Sequence, residues 1–470
     1  MTTQSKHLFI SYGRRESLGF VGRLHQQLRL AGYDGWFDKV NIHDGDDYAQ
    51  RINQGIESAH NFVYVMAPRC LTSPYCLIEL EYARILGKRV IPINQMVIFD
   101  TKSQELYDGD KQVLIQFYQA NDIKLDEDIQ TTQDVLDRSI AVVGRTDWLA
   151  AEETLSDKNC EALFTWAKKY ENDWAKHDDL EYLKTVELHK FGEAVNELTG
   201  VVKSITAVVK RQKDYVQKHT EILTNALNWQ QNQKATQYLL VGKERTAAEE
   251  WLLTDFLPPK QPPCRPSALV CEFICEARKN AENLMTDIFI CYGVEDKVIR
   301  NSVIKSLSHH AKTTWMHDRD IQKGGNYECS IEQGIESADN FFYFISPHSV
   351  KSDYCHKELN HALKYNKRIV PLLIAETLET DIPKSVRYLQ YVDFTDNAGG
   401  AEYNSDIDDI LQHELEYYKQ HKVLLVRALK WETENYKSSF LLRGYNLDNA
   451  KTWLRLNEKR KQHCPLILHN

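Results

Sequence analysis

Short apolar runs rich in β-branched and aromatic residues alternate along the chain with longer stretches whose apolar positions recur every three or four residues. His7–Tyr12, Tyr33–Phe37, Asn61–Ala67 and Arg89–Asn94 read as strands, and Ser17–Ala31, Asp47–Ser58 and Pro74–Leu86 read as the helices between them. Strands separated by helices of roughly 10–15 residues predict βαβ units and a parallel, doubly wound sheet. A fifth strand is expected at Tyr388–Phe394 in the second half of the chain. In the first half, Ser139–Val143 and Thr146–Leu149 are both candidates. Sheets of this type bind ligands beyond the carboxyl ends of their strands, where the segment after Tyr12, the segment after Phe37 and the start of the helix at Pro74 converge.

The pattern occurs twice. Gln54-Gly55-Ile56-Glu57-Ser58-Ala59 returns as Gln333-Gly334-Ile335-Glu336-Ser337-Ala338, 279 positions later. The same offset carries Trp36 to Trp315, Tyr48 to Tyr327, Cys76 to Cys355 and Glu79 to Glu358 without a gap, and upstream of Trp36 the register slips by one. A second repeat has an offset of 202: Trp229, Gly242, Ala248 and Trp251 return as Trp431, Gly444, Ala450 and Trp453, with Tyr215 and His219 matching Tyr417 and His421. The architecture is therefore an α/β domain followed by a helical module, twice. The first copy carries an insert, residues 152–228, that reads as mainly helical, with Trp166, Trp174, Tyr182 and Leu183 as core candidates. The module tryptophans read as anchors of a helical hairpin. A proline-rich segment from Leu257 to Pro266 reads as a stiff linker between the halves.

Composition narrows the function classes. With 42% hydrophobic and 27% charged residues among 470, the chain reads as an ordinary globular protein. A formal net charge of -9 argues against nucleic acid as a partner, since phosphate-backbone binders present a basic face. No apolar run approaches the roughly 18–20 residues that span a bilayer, and the segment from Met1 lacks a secretory core, so no membrane partner is expected. The ten cysteines form no C-x-x-C pair and no zinc-type spacing, which predicts reduced thiols, a cytoplasmic location and no metal site.

Four boxes, in the same order in both copies, resemble TIR (Toll/interleukin-1 receptor) domains. Phe9-Ile10-Ser11-Tyr12 resembles the family's first strand. Trp36-Phe37-Asp38 through Asp44-Gly45-Asp46-Asp47-Tyr48 resembles its second strand and BB loop. Ser73-Pro74-Tyr75-Cys76-Leu77-Ile78-Glu79-Leu80 resembles its third-helix box, usually S-x-W-C-x-x-E-L. The second copy offers Trp315, Gly324-Gly325 and Ser352-Asp353-Tyr354-Cys355-His356-Lys357-Glu358-Leu359. The resemblance implies an α/β fold: two flavodoxin-like, doubly wound five-stranded parallel-sheet domains, each followed by an α-helical module. The expected layout is a first TIR domain over 5–151, insert and module over 152–256, linker and helix over 257–284, a second TIR domain over 285–397 and a second module over 398–470.

Some members of this family only assemble, as adaptors and receptor tails. Others, many of them bacterial, cleave NAD at the nicotinamide–ribose bond to nicotinamide and ADP-ribose or a cyclic variant, often after assembly into filaments. That chemistry needs little acid catalysis, because the nicotinamide leaves neutral. It needs a carboxylate beside the developing oxocarbenium ion. The resemblance assigns this role to Glu79 and Glu358, and substrate contacts to Phe9, Ser11, Tyr12, Arg14, Arg15, Tyr75 and Tyr354. Tyr75 and Tyr354 lie one helical turn before the glutamates, where catalytic relatives commonly carry tryptophan. Asp44, Gly45, Asp46 and Tyr48, with Gly324, Gly325 and Tyr327, would form the assembly loops. The implied partners are NAD as substrate, with no separate cofactor, further TIR domains in self-association, and other TIR proteins or an upstream sensor. Arg14 and Arg15 would hold the diphosphate in the first copy, whereas Glu295 and Asp296 would repel it in the second.

Two functions follow. One is an assembling, NAD-cleaving effector of bacterial immunity or abortive infection, favoured by the two glutamates. The other is a non-enzymatic scaffold for TIR–TIR assembly, favoured by the tyrosine substitution and the unequal first loops. A flavodoxin-type nucleotide switch is disfavoured because no glycine-rich phosphate loop is present.

Overall fold

The structure, a computed structural model, describes residues 6–36, 38, 47–95, 103–121, 123, 129–143, 149–150, 192–256, 262–282, 284–321, 326–395 and 405–463. The core candidates Trp166, Trp174, Tyr182 and Leu183 lie outside them. Two compact units divide the chain, residues 1–233 with 254–270 and residues 234–253 with 271–470.

In the first unit the order is β1 (Lys6–Tyr12), α1 (Arg14–Leu30), β2 (Gly35–Trp36), α2 (Tyr48–Ser58), β3 (Ala59–Met66), α3 (Pro74–Ile85), β4 (Arg89–Asn94), α4 (Asp108–Ala120), α5 (Thr132–Val143), β5 (Leu149–Ala150), α6 (Gly192–Lys210) and α7 (Lys213–Gln231). The strands form one parallel sheet in the order β2-β1-β3-β4-β5. The fifth strand is thus Leu149–Ala150. The alternative at Ser139–Val143 is corrected: those residues end α5, whose Val135, Leu136 and Ser139 are buried at helical spacing.

One sheet face is covered by α1 and, unexpectedly, by α6. Leu18, Val21, Leu24 and Leu28 pack on Leu8, Ile10, Val63 and Ile91 together with Val201, Ile205 and Val209. The α/β unit therefore takes a helix from well beyond residue 151. Arg89, at the start of β4, fastens that helix by donating to the carbonyls of Val208 and Arg211.

The second unit begins with α8 (Gly242–Leu252) and receives the chain again through α9 (Ala268–Ala281). Then follow β6 (Thr286–Cys291), α10 (Lys297–His309), β7 (Thr314–Trp315), α11 (Tyr327–Glu336), β8 (Ala338–Ile345), α12 (Asp353–Lys364), β9 (Arg368–Leu373), β10 (Val392–Asp393), α13 (Ser405–Gln412), α14 (Leu415–Thr433) and α15 (Gly444–His463). The strand order repeats that of the first sheet, β7-β6-β8-β9-β10, all parallel. Here α13 stands where α6 stands, with Ile407 and Leu411 in the core, and Arg368 donates to the carbonyls of Ile410 and His413. The helical repeat therefore begins about one helix earlier than Tyr215 and Tyr417 suggest. Its first helix belongs to the α/β core. Part of the first module lies in the second unit, where Lys234 pairs with Glu272 at 2.6 Å.

The repeated Gln-Gly-Ile-Glu-Ser-Ala run has a packing cause. Phe9 stacks on Trp36 at 4.5 Å and on Phe62 at 5.4 Å, and Phe289 stacks on Trp315 at 4.8 Å and on Phe341 at 5.4 Å. The helix crosses over the indole so closely that a Cβ on Gly55 would lie 2.6 Å from the Trp36 ring, and one on Gly334 2.5 Å from that of Trp315. Gly55→Ala or Gly334→Ala is expected to destabilise its unit by about 1–3 kcal/mol through overpacking. Gly109→Ala, where a Cβ meets nothing within 4 Å, is expected to be neutral or to stabilise α4 by up to about 1 kcal/mol. Urea unfolding of the three variants checks this; equal effects at Gly55 and Gly109 would remove the clash as the reason.

No helix among the described residues is long and apolar enough to cross a membrane.

Candidate functional site

Three helix starts shape a cleft at the carboxyl edge of the first sheet. Gly13 caps α1 against the short turn at Pro68–Leu71, where an added Cβ would sit 2.8 Å from the Cys70 backbone nitrogen. Asp47 caps α2 by accepting from the Gln50 backbone N–H at 3.1 Å, which presents Tyr48. Ser73 caps α3 by accepting from the Cys76 N–H at 3.4 Å, and with Pro74 in the first turn this sets Tyr75, Cys76 and Glu79 along one side. The resulting cleft has a volume of about 560 Å³, the size of a small-molecule site. It brings Phe9, Tyr12, Arg14, Tyr48, Tyr75 and Glu79 together from four separate segments.

Glu79 lies on the cleft wall, and its carboxyl is pushed up to about 7. Loss of bulk water is the main cause; the Asp38 charge adds to it, while Ser11 and Arg14 act in the opposite direction. Ser11 is itself buried, and its hydroxyl is the first of the influences that oppose the rise. Facing Glu79 is an ionic network. Tyr12 Oη donates to Asp38 Oδ1 at 2.7 Å, and Arg14 bonds Asp38 Oδ2 at 2.5 Å and Tyr48 Oη at 3.0 Å. Burial works against the charge on Arg14, but Asp38 and then Tyr48 outweigh it and keep the guanidinium firmly protonated. Tyr48 is raised by burial and then by the charge of Asp38. Tyr75 is half-exposed, 51%, and is raised by burial and by a bond to Asp110 at the start of α4.

Several residues stand differently from the sequence-level expectation. Phe9 is almost wholly buried in its ring stack, so it supports the cleft floor from beneath. Arg14 opens α1, with its charge already paired to Asp38. The side chain of Arg15, and the loop residues Asp44, Gly45, Asp46, Gly324 and Gly325, fall outside the described residues. Asp38, Arg69, Thr72 and Asp110 line the cleft although sequence reasoning had not singled them out. Asp38 had a visible signal, a carboxylate two residues beyond β2. Asp110 had none, since only packing of α4 beside α3 delivers it. Cys76 donates its thiol to the Tyr12 carbonyl at 3.5 Å and so joins α3 to β1.

The second domain repeats the scaffold with different chemistry. Ser352 caps α12 and Asn326 caps α11 by the same bonds, at 3.4 and 3.2 Å. Where the first copy has Asp38, the second has His317, which shares a 3.0 Å bond with Tyr292 Oη. Arg300 from α10 lies 4.4 Å over the Tyr292 ring and pairs with Asp318 at 2.7 Å. Glu358 is buried, and burial pushes its carboxyl up to about 7, opposed by the Cys291 thiol. Tyr354 and Tyr327 are exposed and meet edge-on at 6.5 Å. The expected repulsion from Asp296 is corrected: its buried carboxylate accepts from Ser346 Oγ at 2.6 Å. Glu295 is the exposed member of that pair. The asymmetry between the copies thus resides at positions 38 and 317 as well as in the turn after the first strand.

A model of the TIR domain family matches this chain over residues 8–130 and again over residues 288–411. Toll-like receptor 6 of Mus musculus is 25% identical over 114 residues, which is 23% of this chain and 14% of the receptor, so the chain spans only a small part of that relative. The crystal structure of the TIR domain of the Toll-related receptor TRR-2 from Hydra magnipapillata is 24% identical. It covers 28% of this chain and 94% of the solved domain, with a TM-score of 0.23.

Proposed function

Since the chain belongs to the TIR domain family, we propose that its first α/β domain cleaves NAD at the nicotinamide–ribose bond and that the second acts mainly in TIR–TIR assembly. The observation that carries this reading is Glu79: a carboxylate held in the second turn of α3, poised near neutral pH, on the wall of a cleft of about 560 Å³. As the bond to nicotinamide lengthens, positive charge grows on the ribose, and the fixed carboxylate stabilises it without reorganising water. Tyr75 offers a ring face for nicotinamide or adenine one turn away, and Arg14 offers a cation for the diphosphate once the incoming anion competes with Asp38. Tyr12, through Asp38, holds that cation in place.

In the second domain the position of Asp38 holds His317, and the cation nearest Tyr292 is engaged with Asp318. These differences favour a scaffold role there. Two similar domains on one chain can use a single heterologous contact repeatedly, which builds rings or filaments and raises local concentration. In signalling or immune defence, such assembly would serve as the trigger for cleavage. Incubating the full chain with NAD and following nicotinamide release by chromatography tests the proposal; no release under assembling conditions, judged by light scattering, leaves the scaffold reading in its place.

The pH profile gives a second check. The carboxylate form is the active one, so kcat/KM is expected to rise with pH and level off above about 7. Among the described residues, the charged and titratable groups that act on Glu79 include Asp38, Arg14, Tyr48 and Cys70, and the last two titrate well above that window. A flat profile between about pH 5 and 8 would remove Glu79 from the chemical step.

A further inference from the structure

We propose that the second α/β domain holds a thiophilic metal site formed by Cys291, Cys355 and Glu358, and that its ligand is a divalent cation of the zinc class. Cys291 ends β6, Cys355 lies in the first turn of α12, and Glu358 follows three residues later on the same helix. One ligand atom from each residue lies within 4.8 Å of the other two, and all three residues are buried. Around a tetrahedral zinc, thiolate ligands at about 2.3 Å and a carboxylate at about 2.0–2.2 Å stand about 3.5–4 Å from one another, so a small contraction of the cluster encloses the ion.

Each thiol now donates to a backbone carbonyl, which metal ligation would replace. Cys291 Sγ makes a long contact of 3.9 Å with the Cys355 carbonyl, and Cys355 Sγ donates to the Tyr292 carbonyl at 3.4 Å, the counterpart of the Cys76 bond in the first domain. Binding exchanges two S–H protons, released to solvent, for two sulfur–metal bonds; no electron is transferred. Three protein ligands leave a fourth position for water.

Among the described residues, the first domain has no such cluster at the same place. Ser11 stands where Cys291 stands, opposite Cys76 and Glu79, and a neutral hydroxyl is a poor ligand for a thiophilic ion. The two glutamates thus sit in one scaffold with different neighbours: a hydroxyl beside Glu79, two thiols beside Glu358. Metal binding at Glu358 ties up that carboxylate, which makes the second domain a metal-responsive element. The proposal stands independently of NAD cleavage. Sequence spacing hid it, because 64 residues separate the two cysteines and only the strand-to-helix packing brings them together.

The test uses the full chain kept reduced with a phosphine, loaded with zinc alone, passed into metal-free buffer and measured by atomic emission. Cobalt, loaded in the same way, reports thiolate ligation through its charge-transfer band in the near ultraviolet. Wild-type protein is expected to retain about one equivalent and to show the band. Cys291→Ser, which copies the first domain and so preserves the packing, is expected to lower affinity at least about 100-fold and to abolish the band, since even loss of an outer partner costs about 10–100-fold. Glu358→Gln is expected to weaken retention while keeping the thiolate band. Wild-type protein that retains no zinc and shows no band overturns the proposal, as does Cys291→Ser protein that retains as much metal as wild type.

Discussion

Glu79→Gln is expected to lower NAD cleavage at least about 100-fold, the usual loss when one preorganised electrostatic group is removed from a site of developing charge. It is also expected to make the first unit more stable at pH 8. Burial raises the folded carboxyl to about 7, above the ordinary carboxylate range. The folded state therefore binds the proton more tightly than the unfolded one, and stability falls as pH rises through that window. The native protein thereby forgoes about 3 kcal/mol above pH 7. Glutamine carries no charge and escapes that cost. A variant that is inactive yet unfolds at a higher temperature, with the gap between variant and wild type vanishing near pH 4, identifies a functional carboxylate held against its solvation preference. An inactive variant that is less stable at every pH would point to a structural role, and undiminished turnover would end the assignment. The parallel Glu358→Gln variant is expected to keep most of the activity; the reverse outcome would exchange the roles of the two domains.

Breaking the buried pair between Lys422 and Asp339 is expected to have the largest effect on stability. Lys422 Nζ lies 3.0 Å from Asp339 Oδ2 and also donates to the Thr286 carbonyl at 3.2 Å, and the two side chains are 5% and 1% exposed. Lys422→Met leaves Asp339 buried without its cation, which costs about 3–5 kcal/mol. The chain itself contains the neutral solution. At the matching positions the first copy has Thr220 and His60, and Thr220 Oγ1 reaches the Ala59 carbonyl at 3.5 Å. Burial lowers His60 to about 4, so that pair carries no charge near neutral pH. The double change Lys422→Thr with Asp339→His is therefore expected to recover most of the loss. Denaturant midpoints of the three proteins measure it, and a Lys422→Met protein as stable as wild type would show that the pair contributes nothing.

The sequence by itself determined the duplication, the alternation of strands and helices, and the glutamate one turn after a tyrosine in each copy. These are local or periodic features: a period of two or 3.6 reports which face is buried, and a helix cap is written within a few residues. Gly55 and Gly334 were legible as a repeat before their reason, contact with Trp36 and Trp315, was visible. Tertiary structure decided what periodicity does not encode. The core helix α6 lies inside the segment 152–228 that the sequence alone marks as an insert, whereas its counterpart α13 follows its sheet directly, so only packing identifies them as equivalent. The chemistry of the two clefts was decided in the same way. Arg14 meets Asp38 across 24 positions and Cys291 meets Cys355 across 64, pairings set by how strands and helices register in space. One scaffold, written twice, thus received a carboxylate beside an ionic network in one copy and beside two thiols in the other. The backbone is dictated by a pattern many residues satisfy, whereas each site depends on which single side chains the fold brings within about 3–4 Å of one another.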